Sequence, residues 1–203
     1  MKEHIVIETG KLFSKYGCKS VTMDDIAKHL GMSKRTIYQH FADKDELVSV
    51  LVDKKLTSYS DEIIAYEDEG ADAIEEVFLG VVHIDECLDT LNAKLFHELQ
   101  KYHHHAWLKF KNFKEDRWSA GIVKNIKRGI REGLYRSDIN IDILTELRID
   151  QGTSVFNQTE RYKLSKYTVR EVMIEITTHF LQGICSTKGK RLIEHYRMQL
   201  VDK

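Results

Sequence analysis

The fold is decided by residues 22 to 47, which read TMDDIAKHLGMSKRTIYQHFADKDEL. The pattern predicts two short helices around a tight turn, followed by a longer third helix. Thr22 suits an N-cap, because its hydroxyl can accept a hydrogen bond from the first turn of a helix. Gly31 suits the end of the first helix, because a left-handed C-cap brings glycine no steric strain. Ser33 is expected to cap the second helix.

The second short helix combines a thin apolar side with a polar side. Ile37 and Phe41 form the apolar side, and the other side carries cationic, hydroxyl and amide groups. Such groups donate hydrogen bonds to phosphates and to base edges. The arrangement indicates a helix-turn-helix, with residues 34 to 40 as the recognition helix. The third helix is expected to begin at Asp43, with Glu46 as its capping-box partner.

Length and composition allow one domain, or a small domain joined to a larger one. The 203 residues include no proline and only 11 glycines, so few positions interrupt helices. The sequence pattern also predicts a helix over residues 71–91, a helical stretch after residue 107 to about Arg131, and a last long helix that begins after the capping box Thr168-x-x-Glu171. Hydrophobic residues make up 42% of the chain and charged residues 31%, which fits a helical protein with its own core. The net charge is -1. Any binding to DNA must therefore use a local patch rather than the whole surface.

The cysteines and apolar runs indicate a cytoplasmic protein. Cys18, Cys87 and Cys185 lie far apart, without neighbours at metal-ligand spacing, so reduced thiols are expected. No signal peptide is recognisable at the N-terminus. The longest nearly apolar run, residues 77 to 84, is too short to span a bilayer, and no membrane partner is expected.

Residues 5 to 47 resemble the DNA-binding domain of the TetR family of bacterial transcription regulators. The resemblance is carried by Leu12-Phe13, Gly17, Thr22, Ile26-Ala27, Gly31, Ser33, Thr36-Ile37-Tyr38, His40-Phe41 and Lys44-Asp45-Glu46-Leu47. The chain departs from the family at core positions. Thr9-Gly10 stands where alanines are usual, and Cys18 where an aromatic residue is usual. These departures leave the residues that would face DNA in place.

The resemblance implies an all-α fold with two domains. A three-helix DNA-binding domain would cover residues 1 to 46, and a helical-bundle domain for ligand binding and dimerisation residues 47 to 203. Apolar stripes at helical spacing occur in residues 141 to 156 and 169 to 184, and such stripes can pack with their copies as a four-helix bundle. The alternative is that both stripes pack inside the hydrophobic core of a single subunit. The predicted dimer interface comprises Leu147, Gln151, Val155, Val172, Ile176 and Phe180.

Contacts with DNA divide into those that position the protein and those that read bases. Arginine and lysine suit guanine, and glutamine suits adenine. Reading is therefore assigned to Lys34, Arg35, Thr36 and Gln39. Contacts that position the protein on phosphates are assigned to Thr22, Tyr38, His40 and Lys44. The backbone amides of the helix that begins after Ser33 belong to the same group. The helix dipole disfavours a cation at the first turn, so a phosphate partner would explain Lys44, although a solvated lysine is the alternative.

Aromatic residues concentrate between residues 96 and 118. The resemblance implies an inducer pocket among these helices, although any single aromatic residue of this kind more often belongs to the core. The candidate pocket residues are His97, Gln100, Trp107, Phe110 and Phe113. The histidine run at 103–105 raises the alternative of a metal-responsive regulator. Consecutive helical residues point about 100° apart, however, and do not converge on one ion. No metal or cofactor is expected.

An enzyme is not expected. No glutamate is followed by histidine three residues later, as a di-iron bundle would require, and phosphate-loop and nucleophile-elbow motifs are missing from the sequence. The sequence instead predicts a homodimeric repressor that binds palindromic double-stranded DNA and is released by an unidentified small-molecule effector. A second alternative is an interaction protein that keeps the fold without binding an operator. The set Thr22, Tyr38, His40 and Lys44 argues against it.

Overall fold

The computed structural model describes residues 1–88, 93–158 and 166–201, without the side chains of 83–88, 93–96, 156–157 and 200–201. The described residues form helices joined by short turns, with one isolated β-bridge between Tyr135 and Cys185 and no strand. The all-α prediction is therefore confirmed. The helices are α1 (Lys2–Tyr16), α2 (Met23–Leu30), α3 (Lys34–Tyr38), α4 (Lys44–Glu69), α5 (Ala73–Leu88), α6 (Ala93–Tyr102), α7 (His104–Phe113), α8 (Ser119–Arg131), α9 (Ile141–Asn157), α10 (Val169–Ile184) and α11 (Thr187–Val201).

The chain forms two compact units. Unit 1 comprises residues 1–59 and 88–113, and unit 2 comprises residues 60–87 and 114–203. Unit 1 thus joins the helix-turn-helix to α6 and α7, which lie some forty residues further along the chain. The predicted functional boundary between residues 46 and 47 stays a prediction.

The core of unit 1 holds the helix-turn-helix together. It is built from inward-facing residues of α1 to α4 and of the turn between α3 and α4, including the fully buried Ile5, Phe13, Ile26, Ile37, Phe41 and Leu47. Leu99 of α6 and Ala106 of α7 join the same core. The three short helices therefore gain apolar contacts that they could not supply alone.

Unit 2 is organised around the buried Tyr135. Its hydroxyl lies 2.9 Å from the carbonyl oxygen of Ala73 and 3.0 Å from Oδ1 of Asn125. Asn125 also donates to the Ala73 carbonyl, at 2.9 Å. Burial raises the pKa of the Tyr135 hydroxyl well above its ordinary value. Because each polar group has a partner, this phenol can occupy an otherwise apolar core.

Two of the three sequence predictions about long helices need correction. The stretch to Arg131 is helical as predicted, with a π-helical segment at Lys114–Trp118 between α7 and α8. The helix capped by Thr168 is not the last, since α11 follows it and buries Ile193. The helix predicted from residue 71 to 91 begins at Ala73 and is described to Leu88. Its predicted last residues, 89–91, lie outside the described residues.

The two apolar stripes contain residues that differ in burial, from fully buried to exposed. Val155 and Phe180 are 2% and 6% exposed, so both are already buried within the single chain. The guanidinium of Arg148 lies 5.3 Å from the Phe180 ring centroid. Val155 and Phe180 thus pack within the single chain, and their place in a dimer interface stays a prediction. Leu147 remains 47% exposed, and the others are half-buried, namely Gln151, Val172 and Ile176.

Candidate nucleic-acid interface

The first helix of the motif is fixed at both ends by the predicted residues. The Thr22 hydroxyl accepts the Asp25 backbone N–H at 3.1 Å, while the Asp25 carboxylate accepts the Thr22 backbone N–H at 2.8 Å. The Thr22 hydroxyl also donates to the Asp25 carboxylate at 2.6 Å, and this bond, together with the one from the Thr22 backbone N–H, lowers the pKa of Asp25. At the other end, Gly31 adopts a left-handed conformation with φ of 63°. The predicted N-cap and C-cap are both confirmed.

The second helix is shorter than predicted. It runs over the five residues Lys34–Tyr38, rather than to residue 40. Ser33 caps it as predicted, since its hydroxyl oxygen accepts the Thr36 N–H at 3.1 Å. Gln39 is the C-cap, and the His40 N–H bonds to the Ile37 carbonyl at 2.9 Å, which tightens the last turn. The helix is held by Ile37, which is completely buried.

The four predicted base-reading residues differ in their surroundings. Arg35 and Gln39 are exposed. Lys34 pairs with Asp24 of α2 at 2.8 Å, and this pairing raises the pKa of the lysine. The Thr36 hydroxyl lies 2.8 Å from that of Ser33. Arg35 and Gln39 are thus presented outward, while Lys34 and Thr36 are engaged within the motif.

The predicted phosphate-contacting residues frame this helix. Tyr38 is 45% exposed and His40 is half-buried at the turn. Lys44 is the first residue of α4, and its ammonium lies 5.9 Å from the centroid of the Phe13 ring. The Asp43 carboxylate accepts the Glu46 N–H at 2.8 Å, so Asp43 caps α4 as predicted.

The reciprocal half of the α4 capping box is different from the prediction. The Glu46 carboxylate accepts the N–H of Ala42, at 2.6 Å, instead of the N–H of Asp43. The contact reaches one residue further back and ties α4 to the turn after α3.

Two buried polar contacts of unit 1 were missed by the sequence reasoning. Glu98 of α6 is 4% exposed and accepts the Lys19 backbone N–H at 2.8 Å. His103, between α6 and α7, is buried, and its Nδ1 is hydrogen bonded to the carboxylate of Asp45 near the start of α4. His103 was noted only as part of the histidine run, and no sequence pattern marked either contact, because each depends on a partner more than fifty residues away.

The histidine run does not converge. The His103 ring is buried against Asp45, whereas His104 and His105 are exposed, with ring centroids 6.4 Å apart. This arrangement does not support the alternative of a metal-responsive regulator.

The candidate effector-pocket residues fall into different surroundings. His97 and Gln100 are exposed on α6. Trp107 packs against the core of unit 1 and lies 5.6 Å from the Phe110 ring, measured between centroids. Phe113 lies 5.8 Å from Tyr59 by the same measure. Their role as an effector pocket stays a prediction.

Two capped short helices follow one another, and the second is held by the buried Ile37 and carries an outward polar face. These features define a helix-turn-helix DNA-binding protein. The model of the family "Bacterial regulatory proteins, tetR family" matches residues 6–51. Along most of its length the chain is similar to the uncharacterized HTH-type transcriptional regulator YvaF of Bacillus subtilis (strain 168). The two are 30% identical over 185 residues, covering 91% of this chain and 95% of the relative. The chain therefore belongs to the tetR family of transcriptional regulators, which are not enzymes.

Other similar proteins agree with this assignment. The chain is 24% identical over 115 residues to IcaR of Staphylococcus epidermidis, the negative transcriptional regulator of the biofilm operon icaADBC, covering 50% of this chain and 62% of IcaR. A TetR family regulator from Agrobacterium tumefaciens has the same fold, with a TM-score of 0.76 at 18% identity, over 91% of this chain and 97% of that one. The fatty acid degradation regulator FadR from Bacillus halodurans gives a TM-score of 0.71 at 17% identity, over 89% and 94% of the two chains.

Among the described helices, none is both long enough and apolar enough to cross a membrane.

Proposed function

We propose that this regulator is a homodimeric repressor that binds a palindromic operator and releases it when a small molecule binds. The observation that carries the proposal is the exposed face of α3, where Arg35 and Gln39 point outward from a helix anchored by the buried Ile37. A rigid short helix with exposed donors suits insertion in the major groove. The similarity to IcaR, a negative regulator, supports repression.

The contacts divide the predicted site residues into two roles. Arg35 and Gln39 read bases, because their side chains are exposed and their donor groups match guanine and adenine edges. Lys34 and Thr36 can read a base only after their contacts with Asp24 and Ser33 rearrange. The remaining residues position the helix on phosphates, namely Thr22, Ser33, Tyr38, His40 and Lys44.

The dimer is proposed to form through the exposed part of α9 and α10. Ile143 and Leu147 are 65% and 47% exposed and are four residues apart, so they share one side of α9. Val172 and Ile176 are likewise four residues apart on α10 and are half-buried. Two copies that bury these residues would present two recognition helices to two half-sites.

The effector is proposed to meet the aromatic residues of α7. The ring pairs Trp107–Phe110 and Tyr59–Phe113 offer apolar surface, which typically dominates the lining of small-molecule sites. His97 and Gln100 remain candidates for polar contacts. Effector binding would favour a conformation with the wrong separation of recognition helices, and this shift in population releases DNA.

Selection from fragmented genomic DNA by the purified full-length protein tests the proposal. The expected result is an enriched pseudo-palindrome. Its two half-sites should be separated by one helical turn of DNA, roughly 34–36 Å, or by a multiple of that distance. A reporter carrying the enriched site should lose expression when the protein is supplied. If no palindrome is enriched, the interaction-protein alternative is favoured. If reporter expression rises, the chain is an activator.

A further inference from the structure

A cleft of about 510 Å³ opens in unit 1, between the turn that joins α1 to α2 and helix α6. Its walls are formed by Lys19, Ser20, His97, Glu98 and Tyr102. The volume is within the range of small-molecule sites, about 300–1,000 Å³. Of the predicted effector-pocket residues only His97 lies in this wall, and the cleft belongs to the unit that contains the helix-turn-helix.

One lysine of the cleft wall and a second lysine beside the cleft lie over the same aromatic ring. The ammonium of Lys19 lies 5.0 Å from the centroid of the Tyr102 ring, and the ammonium of Lys101 lies 5.5 Å from it. A hydrogen bond with Lys19 and the positive charge of Lys101 lower the pKa of the Tyr102 phenol. Because both cations are on the surface and converge on one ring, the wall combines a flat apolar surface with donors for an anion.

Among the described residues of the wall, Glu98 carries the carboxylate, and it is already hydrogen bonded. Glu98 is 4% exposed, and it accepts the Lys19 backbone N–H at 2.8 Å. The Cys18 thiol is buried beside the same carboxylate. The acidic group is therefore directed to the turn rather than presented to an occupant of the cleft.

We propose that this cleft binds a small organic anion, with a carboxylate or sulfonate attached to a flat apolar body. The anionic group pairs with the Lys19 ammonium, and the apolar body packs against the Tyr102 ring. Ser20 and His97 stand at the wall as further hydrogen-bonding groups. An occupant would lie against the turn that ends at Ser20, two residues before Thr22, which caps the first helix of the helix-turn-helix.

Naphthalene-2-sulfonate is a suitable probe, because it has this charge and shape. Its binding to the full-length protein can be followed by the backbone amide shifts of Lys19, Ser20 and Tyr102 in 15N-labelled protein. The Lys19→Met variant keeps the apolar stem and removes the charge. We expect it to bind the probe about tenfold more weakly, as loss of one charge-assisted contact implies.

Lys15→Met is the matched control. Lys15 is exposed, and its ammonium lies 5.1 Å from the Tyr16 ring, so it has a similar cation–ring pair outside the cleft. This variant should bind the probe as the unsubstituted protein does, and the neutral naphthalene-2-sulfonamide should bind weakly to all three proteins. The proposal is overturned if the three amides do not shift, if Lys19→Met binds like Lys15→Met, or if the sulfonamide binds equally well. The assay contains no DNA, so its outcome is separate from that of operator binding.

Discussion

The buried carboxylate of Glu98 accepts a hydrogen bond of 2.8 Å from the backbone N–H of Lys19, a residue 79 positions earlier in the chain. The bond connects α6 to the turn that precedes the helix-turn-helix. Burial, together with Glu98, raises the pKa of the neighbouring Cys18 thiol to about 12. The thiol therefore stays protonated, and Glu98 faces an uncharged neighbour on that side.

Removing this carboxylate should destabilise unit 1. Glu98→Ala leaves the Lys19 N–H without its acceptor in a part-buried bond, and loss of a hydrogen bond to a charged group costs about 1.5–3 kcal/mol. Urea denaturation measures the change in the free energy of unfolding. Gln100→Ala, an exposed position on the same helix, is the control and should change it by less than about 0.5 kcal/mol. Equal stability of the two variants would contradict the structural role of the bond.

Arg35→Ala and Gln39→Ala should each relax sequence preference. Both side chains are exposed on the recognition face, and loss of a base contact costs about 1–3 kcal/mol. Fluorescence anisotropy with the selected operator and with a random duplex of equal length measures the difference. Equal losses on the two duplexes would show that the residue contacts phosphate rather than a base.

Lys44→Met should weaken binding to all DNA sequences evenly. The methionine keeps the apolar contact with Phe13, while the cation that would meet a phosphate is lost. The slope of log affinity against log salt should become shallower by roughly one per subunit. Lys127→Met, at an exposed position on α8, should leave the slope unchanged. An unchanged slope in the Lys44 variant would support a solvated lysine.

Leu147→Glu should dissociate the proposed dimer. Leu147 is 47% exposed on α9, and a carboxylate there would be buried without a partner between two copies. Light scattering after size-exclusion chromatography gives the mass of the particle. Ile64→Glu is the matched control, because Ile64 is 44% exposed on α4. A dimer that survives both substitutions would place the interface elsewhere.

Gly129→Ala should destabilise unit 2. A Cβ at this position would lie 2.1 Å from Cδ2 of Tyr135, so the buried ring would have to move. Overpacking of this kind costs about 1–3 kcal/mol or more. Gly183→Ala on α10 is the control, since its Cβ would meet no atom within 4 Å. Gly183→Ala should be neutral or stabilising by up to about 1 kcal/mol, because alanine favours helix.

The sequence predicted the parts of the fold that depend on local chemistry. The caps at Thr22, Ser33 and Thr168 and the left-handed Gly31 follow from hydrogen bonds within four residues, so they could be derived directly. The helical spacing of Ile37 and Phe41 likewise identified the buried side of the motif.

The errors arose where distant segments decide the outcome. A stripe such as that of α10 shows which residues share a helix face, but it does not show whether that face meets the same chain or a second copy. Spacing alone therefore could not show that Phe180 is buried within the chain while Ile176 is only half-buried. The contacts of Glu98 and His103 are of the same kind, because their partners lie in other helices. The short α3 reflects a tightened last turn that sequence periodicity does not reveal.

The central claim is that two copies of this motif read two half-sites at a fixed separation. It is tested most directly by measuring affinity for the selected operator with about five base pairs inserted between its half-sites, half a turn of DNA. The second recognition helix would then face the wrong side of the duplex. The account predicts that affinity falls to that of a single half-site. An affinity equal to that of the intact operator would contradict it.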